Sequence, residues 1–208
     1  MLLIGVLFFL SLFSLFVVAG TSFLKISVVL SLLRNALGIQ QIPPNMALYG
    51  MALILSIFIM APVMYQVSNN LQESSLTFET ENLFERVDNE VITPYKSFLE
   101  KHASQNQVDF FSNTAMQLWP EEMNVVPSNS IFIMLPAFMV SQLIDAFKIG
   151  LLLYLPFIAI DLIVSNVLLA MGMMMVSPMT ISLPFKILLF VMINGWERVL
   201  SQLILSYQ

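Results

Sequence analysis

Apolar and polar positions segregate along this chain in blocks of tens of residues, with little of the alternation that marks half-buried strands. Four hydrophobic stretches cover about residues 2–19, 46–65, 149–176 and 183–205. Each approaches or exceeds the roughly 20 residues that an α-helix needs to cross a bilayer core. The first runs on past Gly20-Thr21-Ser22 into FLKISVVLSLLRNAL, which predicts a bent or broken helix over most of residues 2–37. Gly38 is placed to end it, and Pro43-Pro44 forces an extended turn before the next helix. The C-terminal half repeats the design, with a helix through Ala170, a turn at Ser177-Pro178 and a last helix beginning near Pro184. The pattern predicts an all-α fold of two long apolar helical hairpins, residues 1–66 and 131–208, flanking a small polar helical insert over 67–130. The symmetry is one of architecture, for the halves share no residue-level repeat.

Within the insert, Leu83, Phe84, Val87, Val91 and Ile92 fall near helical spacing, and Tyr95, Phe98 and Leu99 follow Pro94. Short amphipathic helices fit better than strands. About 60 residues form only a marginal core alone, so such an insert gains from neighbouring subunits. Pro120 and Pro127 close it before the next apolar run.

Composition agrees with a chain built for lipid or for burial by partners. Of 208 residues, 58% are hydrophobic and 10% charged, against about 25% charged in soluble domains. Mean hydropathy is +0.87. The absence of cysteine excludes disulfides and thiolate chemistry. The start, MLLIGVLFFLSLFSLFVVAG, lacks the positive n-region of a signal peptide and its apolar run exceeds an ordinary h-region, so it is expected to be retained.

The net charge of -5 is unevenly spread. The insert holds ten acidic residues, Glu73, Glu79, Glu81, Glu85, Asp88, Glu90, Glu100, Asp109, Glu121 and Glu122, against Arg86, Lys96 and Lys101. Outside it stand Asp145, Asp161 and Glu197 against Lys25, Arg34, Lys148, Lys186 and Arg198. Placing the turns that carry Arg34 and Lys186 on the cytoplasmic side satisfies the positive-inside rule and puts the acidic insert and both termini outside. No basic cluster offers the footprint that nucleic acid demands.

Four charges in or beside the apolar helices are candidates for function, because an ionisable group at membrane depth costs about 2.5–3.5 kcal/mol and requires a partner or a watery cavity. Asp145 and Lys148, three apart, can meet on one helix or bridge neighbouring subunits. Asp161, in LPFIAIDLIVSN, has no cation at an adjacent helical position, so its partner must come from Lys25, Lys186 or another polypeptide. It serves either as a structural pair, within or between chains, or as a proton-relay carboxylate, although no second carboxylate stands near it. His102, beside Lys101, is expected at the surface. No catalytic serine elbow, phosphate-binding glycine loop, metal-ligand spacing or carboxylate pair is present, and small residues such as Ala19 and Gly20 suit close helix packing. The chain is therefore expected to be neither an enzyme nor a cofactor-binding protein.

Methionine is the remaining signal, with 15 in the chain. Met51, Met60, Met134 and Met139 are expected as ordinary core filler, since a flexible thioether occupies irregular gaps. Met173, Met174 and Met175 differ, because three consecutive side chains point in three directions and cannot share one stripe. Copies arranged about an axis would form a deformable ring.

Three ordered segments sharpen this reading: TSFLKISVVLSLLRNALGIQQIPPNMALYGMALILSIFIMAP, AFKIGLLLYLPFIAIDLIVSNVLLAMGMMMVSPMTISLPFKILLF and NGWERVL. They closely resemble the export-gate subunit of type III secretion systems, the SctR/FliP family, with wording nearer the injectisome members than the flagellar ones. Ser177 stands where a second proline is common in flagellar relatives. The resemblance implies a homo-pentamer that assembles with SctS/FliQ-type and SctT/FliR-type subunits into a helical gate at the bacterial inner membrane. It also implies that the hairpins, inserted as spans, are lifted to the periplasmic side in the assembly. Carried over residue by residue, it implies a pore gasket at Met173, Met174 and Met175, and intersubunit charge contacts at Asp161 and Lys186; Lys25 and Lys148 fall in matching motifs without assigned partners. The expected function is a structural pore subunit admitting unfolded secreted proteins, with membrane lipid and the transiting chains as further partners. A small ion- or proton-coupled transporter using the intramembrane charges is the alternative.

Overall fold

The computed structural model describes residues 16–39, 42–73, 92–120 and 129–208, with Gly5, Leu7, Ser11 and Ser14 of the preceding segment. Most of the first apolar stretch and the positions Leu83 to Val91 of the insert lie outside the described residues. Among the described residues the fold is helical with no strand. Its helices are α1 (Phe23–Leu37), α2 (Asn45–Glu73), α3 (Thr93–His102), α4 (Gln105–Leu118), α5 (Ile131–Ala170), α6 (Pro178–Met192) and α7 (Gly195–Leu205).

Among the described residues, two helices are long and apolar enough to cross a membrane, and α6 with α7 forms a third candidate bent by 61°. The helices extend beyond the apolar stretches in three places. Helix α2 runs past residue 66 to Glu73. Helix α5 begins at Ile131, upstream of the apolar stretch at 149, and its 40 residues extend about 60 Å, twice a bilayer core. The last helix starts at Pro178, not Pro184, because Pro178 takes the first-turn position where no N–H is needed. Pro184 is accommodated inside the helix. A single helix to Leu205 was also expected; instead Asn194 adopts a left-handed conformation (φ 52°) and breaks it. Gly195 completes the corner, for any Cβ there would collide with the Phe190 ring, which stacks edge-on against Trp196 at 5.4 Å.

The chain forms two compact units, one of residues 1–24 and 56–143, the other of 25–55 and 144–208. In the first, helix 16–20 breaks at Thr21-Ser22 before α1, as the sequence predicted. A chain of hydroxyls fills the break: Ser22 donates to Ser56 (3.1 Å), Ser56 to Thr21 (3.0 Å) and Thr21 to the Val17 carbonyl (2.5 Å). Such bonds select helix partners where lipid gives apolar surfaces no drive to associate. Tyr95, Phe98 and Leu99 form the buried face of α3. Phe98 packs tilted on Phe138 of α5 at 5.6 Å. Gln142 donates to the His102 carbonyl (2.9 Å), and Ser141 accepts the Ser104 N–H (2.9 Å). His102, expected at the surface, is half-buried with its ring 4.8 Å from that of Phe98. The α3 face that buries Phe98 draws the neighbouring turn in with it.

Tyr95 reaches from the insert to donate a 2.8 Å hydrogen bond to the Gly20 carbonyl. Burial pushes its phenol well above the ordinary range, so it remains a neutral donor. A Cβ at Gly20 would strike this hydroxyl, which explains why the smallest residue stands there. Tyr95→Phe is expected to destabilise the protein by about 1–2 kcal/mol, since it leaves a buried carbonyl unpaired. Thermal unfolding of the detergent-solubilised protein measures this; an unchanged midpoint would show that the contact adds nothing.

Of the methionines expected as filler, Met60 and Met134 are buried and Met51 is half-buried, whereas Met139 is exposed in the isolated chain.

Candidate functional site

The second unit contains the hairpin of α5 and α6 and the charges singled out in the sequence. Helix α5 stops in a way its residues dictate. Gly172 takes a positive φ of 72°. The Met173 N–H bonds the Leu168 carbonyl (2.9 Å) and the Gly172 N–H that of Leu169 (3.0 Å). This is a Schellman termination with glycine at C′, the residue type that adopts left-handed φ without penalty. Met173, Met174 and Met175 consequently stand in the turn, outside any helical stripe. Their exposures are 41%, 81% and 102%. Met173, the least exposed, occupies the position whose usual apolar partner in this motif is the residue at C3, here Leu168.

About three helical turns from the methionines, a polar cluster fastens the hairpin's arms. The Lys186 ammonium donates to Asp161 Oδ2 at 2.6 Å, and the Ser182 hydroxyl donates to Asp161 Oδ1 at 2.6 Å. Lys186 also donates to the Ala36 carbonyl at 3.2 Å. That carbonyl belongs to the last turn of α1, where carbonyls lack helical partners and the helix dipole favours a cation. One lysine thus ties together α1, α5 and α6. Its side chain is only 4% exposed, against 40% for Asp161, so the pair is sealed on the cationic side and open on the anionic one. Gly38 ends α1 beside this ammonium with φ 74°.

The other charges take different partners. Lys148 meets Asp145 at 3.3 Å in an exposed i, i+3 pair, a geometry that contributes little stability. Lys25 is buried, and its ammonium lies 4.2 Å from the centre of the Tyr207 ring. Burial first, and nearby Asp145 second, push the Tyr207 phenol above its ordinary range, so the ring faces the cation uncharged. Asp145 also acts electrostatically on Lys25.

The structure therefore brings Asp161 to Lys186, Asp145 to Lys148, and Lys25 to Tyr207. Three partners were not anticipated. Ser182 had a legible signal, since it precedes Lys186 by four residues and shares its helical face. The Ala36 carbonyl and the Tyr207 ring had none, because their contacts span distant segments. Among the described residues, no group of three or more histidine, aspartate or glutamate side chains is placed to hold a metal.

Residues 6–203 match the FliP family. The chain is 52% identical over 209 residues to the virulence protein YscR of Salmonella typhimurium, covering 99% of this chain and 95% of that one. It is 53% identical over 206 residues to the Yop proteins translocation protein R of Yersinia pestis, with the same coverage. The surface presentation of antigens protein SpaP of Salmonella typhimurium is 44% identical over 214 residues, covering 99% of this chain and 95% of its own. Both hydrophobic blocks and the motifs around Asp161, the methionine turn and Lys186 fall within these matches, and the chain belongs to the FliP family of type III secretion export subunits.

Proposed function

We propose that this chain is a structural, non-enzymatic subunit that lines the inner-membrane portal through which unfolded proteins reach the type III secretion channel. The supporting observation is the exposure of Met173 to Met175 at the tip of a hairpin whose arms are locked by Lys186 and Asp161. Flexible apolar side chains exposed at such a tip suit a lining that yields to a passing polypeptide and closes behind it. Repeated around an axis, the same tip from each copy makes a ring, which accords with a homo-pentamer joined by SctS/FliQ-type and SctT/FliR-type subunits. The open side of Asp161 leaves acceptor capacity for a donor from a neighbouring subunit. With Ser182 on one oxygen and Lys186 on the other, this carboxylate suits a structural joint better than an ion or proton carrier.

The reading places the chain as a multi-pass protein with its acidic insert, about residues 67–130, on the periplasmic side. The similarity over nearly its full length to a Yop proteins translocation protein supports assembly into the same kind of apparatus. Native mass spectrometry of the detergent-extracted chain, co-expressed with both partner subunits, is expected to show five copies bound to them. A persistent monomer that recruits neither partner would overturn the proposal.

A further inference from the structure

Among the described residues Met46, Met64, Met116, Met179 and Met192 are also exposed, but only in one turn of the second unit do exposed thioethers cluster. Met171, Met173, Met174 and Met175 fall within five residues, all exposed and in a turn rather than a packed helix. Met60 and Met134, by contrast, are buried. A thioether has no acid or base function, but its sulfur gives up two electrons readily, and accessibility decides which methionine does so. The product sulfoxide is polar and a strong hydrogen-bond acceptor, whereas the parent side chain is apolar.

We infer that the Met171–Met175 turn is an oxidation site, and that converting its thioethers to sulfoxides by a small two-electron oxidant such as hypochlorous acid changes the turn from a water-excluding surface to a wetted one. In the step, the sulfur lone pair attacks the oxygen of HOCl and an S–O bond forms as the O–Cl bond breaks. Sulfur is oxidised by two electrons, chlorine leaves as chloride, and the hydroxyl proton passes to water. No side chain of the protein need assist, so solvent access alone governs the reaction. An apolar constriction blocks ions by dewetting, and polar groups in its wall remove that barrier. The effect on permeability rests on the portal reading above, while the chemical selectivity does not.

The test uses the assembled complex with its two partner subunits in liposomes, titrated with hypochlorous acid. Peptide mass mapping is expected to find sulfoxide at Met173 to Met175 before Met60 or Met134, with a severalfold rise in ion leak that methionine sulfoxide reductase reverses. The variant carrying Met171→Leu, Met173→Leu, Met174→Leu and Met175→Leu keeps the apolar lining without an oxidisable sulfur in the turn and is expected to stay tight under the same dose. Sulfoxide forming first at the buried methionines overturns the inference, as does modification of the turn with unchanged leak. If replacing the three methionines by alanine opens the complex yet oxidation does not, the seal stands and the oxidation switch fails. If neither raises the leak, the portal reading of these residues fails with it.

Discussion

Lys186→Met is expected to lower the stability of the protein by about 2–3 kcal/mol and to reduce the yield of assembled complex, while Asp161→Ala is expected to cost more. The order follows from unequal burial. Without the ammonium, Asp161 keeps Ser182 as a donor and, being 40% exposed, recovers water on its open side. Without the carboxylate, an ammonium that is 4% exposed retains only the Ala36 carbonyl. Breaking a buried pair from one side typically costs about 3–5 kcal/mol, and the partial exposure of Asp161 reduces the first figure below that range. The double variant is expected to regain part of the loss, because removing both charges leaves neither orphaned. Thermal unfolding of the four proteins in detergent supplies the double-mutant cycle. Strictly additive losses would show that the pair does not hold the hairpin, and a loss of pH-dependent ion flux with normal assembly would favour a transporter instead.

The same pair shows how far the sequence reaches. That an ionised group at membrane depth needs a partner narrows Asp161 to a few cations, and Lys186 is among them. Choosing between Lys186 and Lys25 requires knowing that Asp161 and Lys186 face each other across a hairpin whose turn length fixes the register. Among the described residues, helix existence was legible where apolar runs were long. Helix ends were legible where backbone chemistry is local, at Gly38 before the proline pair and at the close of α5 by Ala170. They were not where two prolines compete, since Pro178 and Pro184 are both acceptable starts and only the packed α6 decides. The break at Asn194 was hidden because asparagine tolerates left-handed φ only as one of several conformations, and it is the Phe190 ring against Gly195 that makes the corner. The Lys25 and Tyr207 contact joins residues far apart in sequence, and no spacing rule reaches that distance.

Replacing Met173, Met174 and Met175 together by alanine is expected to raise small-ion leak through the assembled complex by an order of magnitude or more, with little change in the stability of the chain. Both halves of the expectation follow from exposure. Truncating a buried methionine typically costs about 2–5 kcal/mol, because it leaves a cavity and loses transfer energy. Met174 and Met175, at 81% and 102% exposed, have almost no buried surface to lose within their own chain, and Met173 has only part of its own. The backbone of the turn rests on Gly172 and the carbonyls of Leu168 and Leu169, none of which the substitutions touch. If the side chains meet their counterparts across an axis, three long thioethers per copy vanish from the narrowest part of the lining, and a hydrated ion passes where an apolar barrier stood. Unfolding midpoint and ion conductance are therefore the paired measurements. A lowered midpoint with unchanged leak would show that the methionines pack against another part of the assembly, whereas a leaky complex of normal stability separates sealing from folding.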